Sequence, residues 1–200
     1  MPSVLAAYPV YFGGIALNVE NANPASTEPN GIKVRVPGVK AFQLEGEALG
    51  YIPSPIPFSE AFTAVQTGVV DGVIGSGAEG YYASFRDVTK TYIPANTHFE
   101  VWYMIISNES LAALSDEDQA ALTEEAAAFE ATRWTVAEAD QARNEQRLVD
   151  DLGATVAKLT EDDLAVMSAK VRAEVWPEVL EDVGAEWGQA ILDKVAAAAE

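Results

Sequence analysis

The sequence contains no cysteine and a single histidine, His98. Without cysteine there is no disulfide, no thiolate nucleophile and no cysteine-based zinc site. A catalytic triad would have to use His98, and no nucleophile-elbow motif accompanies it. Histidine-based metal sites are equally disfavoured, and the acidic stretches at 116–118 and 161–163 have the positions expected of helix starts. We therefore expect neither catalytic residues nor a metal site.

Basic residues are also scarce: 12 lysines and arginines stand against 31 aspartates and glutamates, a formal net charge of −19. This charge repels phosphate backbones and anionic lipid headgroups, which argues against nucleic-acid binding and peripheral membrane docking. No apolar run approaches the roughly 18 residues of a membrane span. The first residues lack the basic segment and cleavage site of a signal peptide, so we expect that a leader was removed or that a longer chain precedes them.

The apolar content is sufficient for a folded core, since 49% of the 200 residues are hydrophobic. Up to about residue 107, short apolar runs alternate with short helical stretches. Strands are predicted at 4–12, 32–36, 69–74 and 99–107, and helices at 40–49, 60–67 (with Ser59 as the cap and Gly68 as the stop) and 81–88. The three prolines of 51–57 favour an extended edge segment. This alternation predicts an α/β fold with a mostly parallel sheet.

After residue 110 the pattern becomes helical. A start signal at Ser115–Asp118 is followed by no glycine or proline before Gly153, which predicts one helix of roughly 55 Å. Its ends carry large apolar side chains, whereas 137–147 carries none larger than alanine. This distribution indicates a strut that packs on two separate bodies. Another start signal, at Thr160–Asp163, begins the C-terminal helices.

Four stretches carry a resemblance to a known family. They are GIKVRVPG at 31–38, PSPIPFSEAFTAVQTGVVDG at 53–72, YYASFRDV with FEVWYMIIS within 81–107, and LSDEDQ at 114–119. Their order and spacing resemble the DctP-type solute-binding subunits of tripartite ATP-independent periplasmic (TRAP) transporters. The resemblance implies two α/β lobes that close around a small organic acid in the periplasm and deliver it to membrane permease subunits. It implies no enzymatic activity and no cofactor.

The resemblance also implies a domain organisation. Residues 1–110 correspond to the second ligand-binding lobe, 111–153 to the long connecting helix, and 154–200 to C-terminal helices that belong to an incomplete first lobe. The N-terminal part of the family, which builds most of the first lobe, has no counterpart in this sequence. The chain is therefore expected to provide one wall of the cleft.

Three side chains are candidates for ligand binding on this resemblance. A strand-end arginine is usually a solvated surface charge, but Arg35 matches the family arginine that holds the ligand carboxylate, and a guanidinium suits this role because it binds a carboxylate bidentately. Phe58 matches an aromatic residue that lines the ligand in some relatives; a core phenylalanine ahead of a helix cap is an equal alternative. Trp102 is a candidate cleft wall, although an aromatic residue in an apolar strand usually belongs to the core.

The segment Gly75–Gly80 (GSGAEG) fits G-x-G-x-x-G between a predicted strand and helix, and Glu100 lies about 20 residues downstream, as in a dinucleotide-binding turn. Glu100 begins a strand instead of ending one, however, and the helix is only two turns long. An alternative is that Gly75 and Ser76 offer free N–H groups to an anion. Many relatives have asparagine at position 75, and a second arginine is absent before Arg35, which predicts a smaller or less polar ligand than a sugar acid.

Three hypotheses therefore stand. The leading one is a carboxylate-binding transport component that does not bind nucleic acid. The second is a dinucleotide-binding enzyme that uses Gly75–Gly80. The third is a truncated chain that binds no ligand by itself and associates with other copies through an exposed lobe face.

Overall fold

The computed structural model describes residues 2–198. The strands are β1 (Pro2–Phe12), β2 (Gly14–Leu17), β3 (Lys33–Val36), β4 (Ile52–Pro55), β5 (Gly72–Ser76), β6 (Thr91–Ile93), β7 (Phe99–Ser107) and β8 (Thr155–Val156). The helices are α1 (Lys40–Ala48), α2 (Phe58–Gln66), α3 (Ala78–Ser84), α4 (Asn108–Ala112), α5 (Asp116–Leu152), α6 (Glu161–Glu174), α7 (Trp176–Val183) and α8 (Ala185–Ala198), and a 3-10 turn spans Arg86–Val88. None of the helices within these residues has the length and apolar character needed to cross a bilayer.

The main sheet has six strands in the order β4-β3-β5-β2-β6-β8. β3 runs parallel to β4 and β5, and β6 runs parallel to β8, whereas β2 is antiparallel to both of its neighbours. The proline-rich strand β4 lies at the edge, where missing N–H donors are tolerated. The predicted α/β fold with a mostly parallel sheet is therefore confirmed.

Helices cover both faces of the main sheet. Since successive residues of a strand point to opposite faces, neighbours in the chain belong to different core clusters. Ala16 and Val73 join a core cluster with residues of α2, α3 and α5. Ile15 and Ile74, their chain neighbours, join the opposite cluster, which includes Met167 of α6. The main sheet is thus the middle of three layers, with helices on either side.

The strand predicted most strongly, β7, is not part of the main sheet. It pairs antiparallel with β1 in a separate two-stranded sheet, which we call the ribbon (residues 2–12 and 99–107). The ribbon packs on the N-terminal half of α5: the Tyr8 ring lies 4.8 Å from that of Phe129, and the Ala7 amide donates to Glu130 Oε2 at 2.7 Å. Several of its large apolar side chains are exposed, namely Val4, Phe12, Phe99, Trp102, Tyr103 and Ile105.

Helix α5 connects the ribbon to the main sheet. Its first turn is capped by Ser115 and it ends at Gly153, whose φ of 66° is left-handed, as predicted. The C-terminal half packs on the main-sheet body, where Leu148 is fully buried and the Arg147 guanidinium lies 3.7 Å from the centre of the Tyr82 ring. The helix therefore contacts two bodies, in agreement with its apolar pattern.

The C-terminal region packs in part on the main-sheet body. β8 adds to the main sheet beside β6, with Thr155 opposite Thr91, and α6 packs on α1. The Thr160–Asp163 capping box at the start of α6 is present, as predicted. Backbone pairing of β8 and the burial of Met167 attach β8 and α6 to the main-sheet body, whereas the assignment of 154–200 to another lobe remains a prediction.

Two local expectations also differ from the structure. Ser59 does not cap α2, because the helix already begins at Phe58 and Pro57 occupies the cap position. The strand predicted at 69–74 is observed at Gly72–Ser76, since the amides of Val69 and Val70 donate back to Ala64 O in the turn after α2.

Candidate functional site

Arg35 lies in β3, between β4 and β5, and only 4% of its surface is exposed. Its Nε donates to the carbonyl oxygen of Ile56 at 2.7 Å, a bond that orients the guanidinium plane. The interpretation of Arg35 as a solvated surface charge is therefore wrong. Burial in the sheet instead holds the side chain in one place near the end of its strand.

Among residues 2–198, the Arg35 charge has no partner of opposite sign. In the part of the chain that the structure describes, no carboxylate lies within 4.0 Å of its guanidinium, and Nε alone of its nitrogens makes a hydrogen bond. Burial lowers the pKa of the guanidinium, yet an arginine keeps its charge in proteins. An unpaired buried cation is costly, so this arrangement is suited to an anion supplied from outside.

Phe58 lies next to Arg35, at the first position of α2. The Arg35 Cζ atom is 5.7 Å from the centre of the Phe58 ring, and the ring stands edge-on to Phe85. The side chain is 55% exposed. The interpretation of Phe58 as a core residue is therefore wrong. We call Arg35, Pro37, Phe58 and Gly75 the Arg35 group: one cation flanked by apolar surface.

Gly75 completes the Arg35 group from β5. Its φ of 109° is in the region that favours glycine, and a Cβ atom there would lie 2.7 Å from the Pro37 ring and 3.7 Å from Arg35 Nη1. The glycine is therefore needed for the close approach of β5 to Pro37. A side chain at this position would disturb the packing before it reached a ligand.

The other glycines of the 75–80 segment are also packed against protein atoms. A Cβ on Gly77 would lie 2.7 Å from Tyr11, and one on Gly80 would meet the Ser76 hydroxyl. Packing against Tyr11 and Ser76 therefore accounts for glycine at these two positions without a nucleotide. Glu100 lies in the ribbon instead of the main sheet, and it accepts a hydrogen bond from Trp102 Nε1. The local geometry thus gives no support to the dinucleotide hypothesis.

Ser76 is buried, and its amide is already used. The Ser76 N–H donates to the Tyr81 hydroxyl at 3.2 Å, and this hydroxyl lies 2.8 Å from the carbonyl oxygen of Gly14. The expectation that Ser76 offers a free N–H group is therefore wrong. Helix α3, which follows, has only seven residues, and its cap residue Gly77 has no side chain to accept a hydrogen bond from the first turn.

Trp102 is not brought to the Arg35 group. It lies on the ribbon, is 51% exposed, and donates from Nε1 to Glu100 Oε1 at 2.8 Å. The interpretation of Trp102 as a core residue is wrong because, like Phe58, the side chain is about half exposed. Within residues 2–198, no hydrogen bond or ring contact joins Trp102 to Arg35 or Phe58.

Tyr11 is a site neighbour that the sequence did not reveal. It reaches from β1 of the ribbon to the Gly77 turn, and its ring is 5.9 Å from that of His98. Burial raises the pKa of Tyr11, and the negative charge of Glu100 adds to this effect. No local pattern could have found it, because the contact joins two sheets that are far apart in sequence.

No metal-binding arrangement is found in the described part of the chain: no group of three or more histidine, aspartate or glutamate side chains could hold a metal ion. The Arg35 group itself contains no carboxylate or imidazole. Its chemistry is that of a cationic anchor beside an aromatic face, which suits a bound anion with an apolar portion.

Comparison with known proteins identifies a family of similar sequences. Residues 27–182 match the family model DctP, bacterial extracellular solute-binding protein, family 7. A solute-binding protein of Roseobacter denitrificans is 33% identical over 158 residues, which cover 77% of this chain and 46% of the relative. The C4-dicarboxylate-binding periplasmic protein DctP of Rhodobacter capsulatus is 31% identical over 174 residues, covering 84% of this chain and 51% of the relative. The chain thus spans about half the length of these curated relatives.

A solved structure extends the comparison to the fold. The TRAP periplasmic solute-binding protein of Haemophilus influenzae with bound L-gulonate superposes with a TM-score of 0.82 at 21% identity. The match covers 98% of this chain and 63% of the other. At this identity the similarity concerns the fold.

Proposed function

This chain belongs to the DctP family of bacterial extracellular solute-binding proteins, and we propose that it captures a small organic carboxylate for delivery to TRAP membrane permease subunits. The observation that carries the proposal is the buried guanidinium of Arg35, which has no anionic partner within residues 2–198. The name of the Rhodobacter capsulatus relative, a C4-dicarboxylate-binding protein, supports the same class of ligand.

The geometry of Arg35 determines how a carboxylate would bind. Because Nε is used by Ile56 O, a bidentate pair has to use the N–H groups of Nη1 and Nη2. The ligand therefore approaches the end of the guanidinium instead of its side. Burial makes the pair stronger than an exposed one, because water competes less for both groups.

The surroundings of Arg35 favour an acid with an apolar portion. Phe58 offers an exposed ring face, and Pro37 with Gly75 forms a close-packed wall beside Nη1. We propose that these residues contact the ligand, that Ser76 orients the loop through Tyr81, and that Trp102 lines the cleft from the ribbon. A single arginine and few polar groups support a smaller or less polar acid than a sugar acid.

The remaining features of the proposal follow from the family. We propose a periplasmic location and a two-lobed protein in which residues 1–110 form one lobe and α5 (within 111–153) connects it to the other. Contact of α5 with both the ribbon and the main sheet supports the connecting role. A binding protein of this kind performs no chemistry on its ligand, so we propose no catalytic residues.

Thermal unfolding with a panel of mono- and dicarboxylates tests the proposal, with NADH as a control compound. A ligand at 100 times its dissociation constant adds about 2.7 kcal/mol of stability. At roughly 2–4 °C per kcal/mol this shift is readily measured. We expect a shift with one class of acids that disappears in Arg35→Met and no shift with NADH. A shift that persists in Arg35→Met would contradict the role of Arg35, and a response to NADH alone would favour the dinucleotide hypothesis.

A further inference from the structure

A cavity lies away from the Arg35 group, between α1, the loop before β7 and helices α6–α8. Its volume is about 450 Å³, within the range of small-molecule sites. Its walls are mainly apolar, and they include Phe42, Val175, Trp176, Leu180, Trp187 and Ile191. It shares no lining residue with the Arg35 group.

One acidic side chain, Glu45, lines this cavity from the middle of α1, and the cavity is named the Glu45 cavity after it. Only 6% of the surface of Glu45 is exposed. Among residues 2–198 its carboxyl group has no hydrogen bond and no ion pair. Burial of the group raises the pKa of Glu45 to about 8. Such a carboxyl group is stabilised when a hydrogen-bond donor reaches it.

The charged groups around Glu45 do not supply that donor. Lys40, on the same helix, is paired with Glu178 at 3.3 Å and with Asp182 at 3.1 Å. Arg172 lines an adjoining cavity with Glu45, but its guanidinium lies over the Trp176 ring at 5.3 Å and forms no ion pair within 4.0 Å in the described residues.

His98 is the other ionisable group of the cavity wall. Its ring stands edge-on to Phe42 at 5.0 Å. Its Nε2 atom lies 3.6 Å from Glu100 and has no hydrogen-bond partner in the described part of the chain. Burial lowers the pKa of His98 and so favours the neutral ring, although the nearby charge of Glu100 acts in the opposite direction. Among the described residues, the cavity is therefore an apolar space lined by one acidic group without a partner of opposite charge.

We propose that the Glu45 cavity binds a small apolar ammonium compound, such as a primary amine with a hydrocarbon body. The ammonium group, which has only donors, pairs with the Glu45 carboxylate, while the body lies against the rings of Phe42, Trp176 and Trp187. Carboxylic acids are disfavoured here because they meet Glu45 and a chain of net charge −19. The inference is independent of the proposed function, since the ligand has the opposite charge and the residues differ.

Three probes with the same hydrocarbon body test the charge requirement: hexylamine, 1-hexanol and hexanoate. Isothermal titration at pH 8.5 is expected to show hexylamine binding at least about tenfold more tightly than 1-hexanol, because a charge-assisted hydrogen bond is added to the same apolar contact. Hexanoate is expected to bind more weakly than either. Equal affinity for hexylamine and 1-hexanol, or a preference for hexanoate, would overturn the proposal.

Glu45→Gln is the decisive variant, because it removes the charge and keeps the size. It is expected to reduce hexylamine affinity to that of 1-hexanol and to leave 1-hexanol binding unchanged. Trp187→Ala, at a 63% exposed position of the wall, is expected to weaken both probes equally. Unchanged hexylamine binding in Glu45→Gln would contradict the assigned pair. The same titration in Arg35→Met is expected to match the parent protein, which separates this cavity from the carboxylate site.

The pH dependence provides a second readout. Pairing with an ammonium group requires an ionised carboxylate, so below the folded pKa of Glu45 a proton must be released on binding. Hexylamine affinity is expected to rise by about tenfold per pH unit between pH 6 and 7.5 and to level off above pH 8. 1-Hexanol is expected to show no such rise. Amine binding that appears only in Arg172→Gln would overturn the proposal, because Arg172 would then be the partner of Glu45.

Discussion

Arg35 and Glu45 are buried to nearly the same extent, at 4% and 6% exposure, and both lack a partner of opposite charge in the described residues. They differ in how they can meet the cost of burial. Glu45 can take up a proton, and burial raises its pKa to about 8, so most of the charge is absent at neutral pH. Arg35 cannot lose its charge, although burial lowers the pKa of its guanidinium.

This difference makes the two residues unequal as signals of function. A buried acid without a partner can be a neutral part of the core, so Glu45 indicates a site only because it lines an apolar cavity. A buried arginine without a partner remains a charge, so an anion from outside is the expected complement.

Arg35→Met is expected to lower the affinity for the bound acid by at least about 100-fold, roughly 3 kcal/mol, because a charge-assisted bidentate pair is lost. The fold is expected to remain, since the variant also removes an uncompensated buried charge. Isothermal titration and urea unfolding measure the two quantities. Arg86→Met, at an exposed arginine beside Asp87, is the matched control and should leave the affinity unchanged. A loss of several kcal/mol of stability in Arg35→Met would mean that its role is structural.

Glu45→Gln is expected to raise the free energy of unfolding at pH 7 by up to about 3 kcal/mol in the absence of an amine. The folded pKa of about 8 lies above the ordinary value of 4.5, so the stabilising contribution of the acid is complete below pH 4.5 and is lost as the pH rises to 8. The gain should therefore shrink towards zero near pH 4.5, as measured by urea unfolding across this range. Glu47→Gln, on the exposed side of α1, should change stability by less than about 0.5 kcal/mol.

Gly75→Ala is expected to lower the free energy of unfolding by about 2 kcal/mol, because the position combines a φ of 109° with a Cβ contact of 2.7 Å to Pro37. Gly31→Ala separates the two causes. Gly31 has a φ of 74° and no atom within 4 Å of its Cβ position, so its cost of about 1 kcal/mol reports the backbone alone. Equal losses in chemical denaturation of the two variants would show that the Pro37 contact is unimportant.

Phe58→Ala is expected to reduce the affinity for the acid by about 1 kcal/mol with a stability change of less than about 1 kcal/mol, because the ring is 55% exposed and lies beside Arg35. Titration and thermal unfolding provide the two values. Val69→Ala, at an apolar position with 60% exposure, is the control and should affect neither. If Phe58→Ala unfolds the protein and leaves binding intact, the ring belongs to the packing of α2.

Much of the fold could be predicted from local patterns. The strut helix, with its Ser115 cap and Gly153 end, depends on residues within one segment, and so does the edge position of the proline-rich strand β4. The pairing of β7 with β1 could not be predicted, because an apolar strand has the same pattern in a ribbon and in a central sheet. The position of β8 beside β6 likewise depends on pairing across more than 60 residues.

Residue types at short spacing were sufficient to predict the α/β fold class and the long helix, whereas Arg35 was singled out only through the family resemblance of the segment at 31–38. Three features depend on tertiary contacts: the burial of Arg35 without a counter-charge among residues 2–198, the hydrogen bond from the Ser76 amide to Tyr81, and the position of Glu45 in a cavity wall. The physical reason is that burial and charge pairing are properties of groups brought together from distant segments. The type of a side chain gives its possible chemistry. Its neighbours determine whether its charge is paired within the protein, is neutralised by a change in protonation, or can bind a ligand.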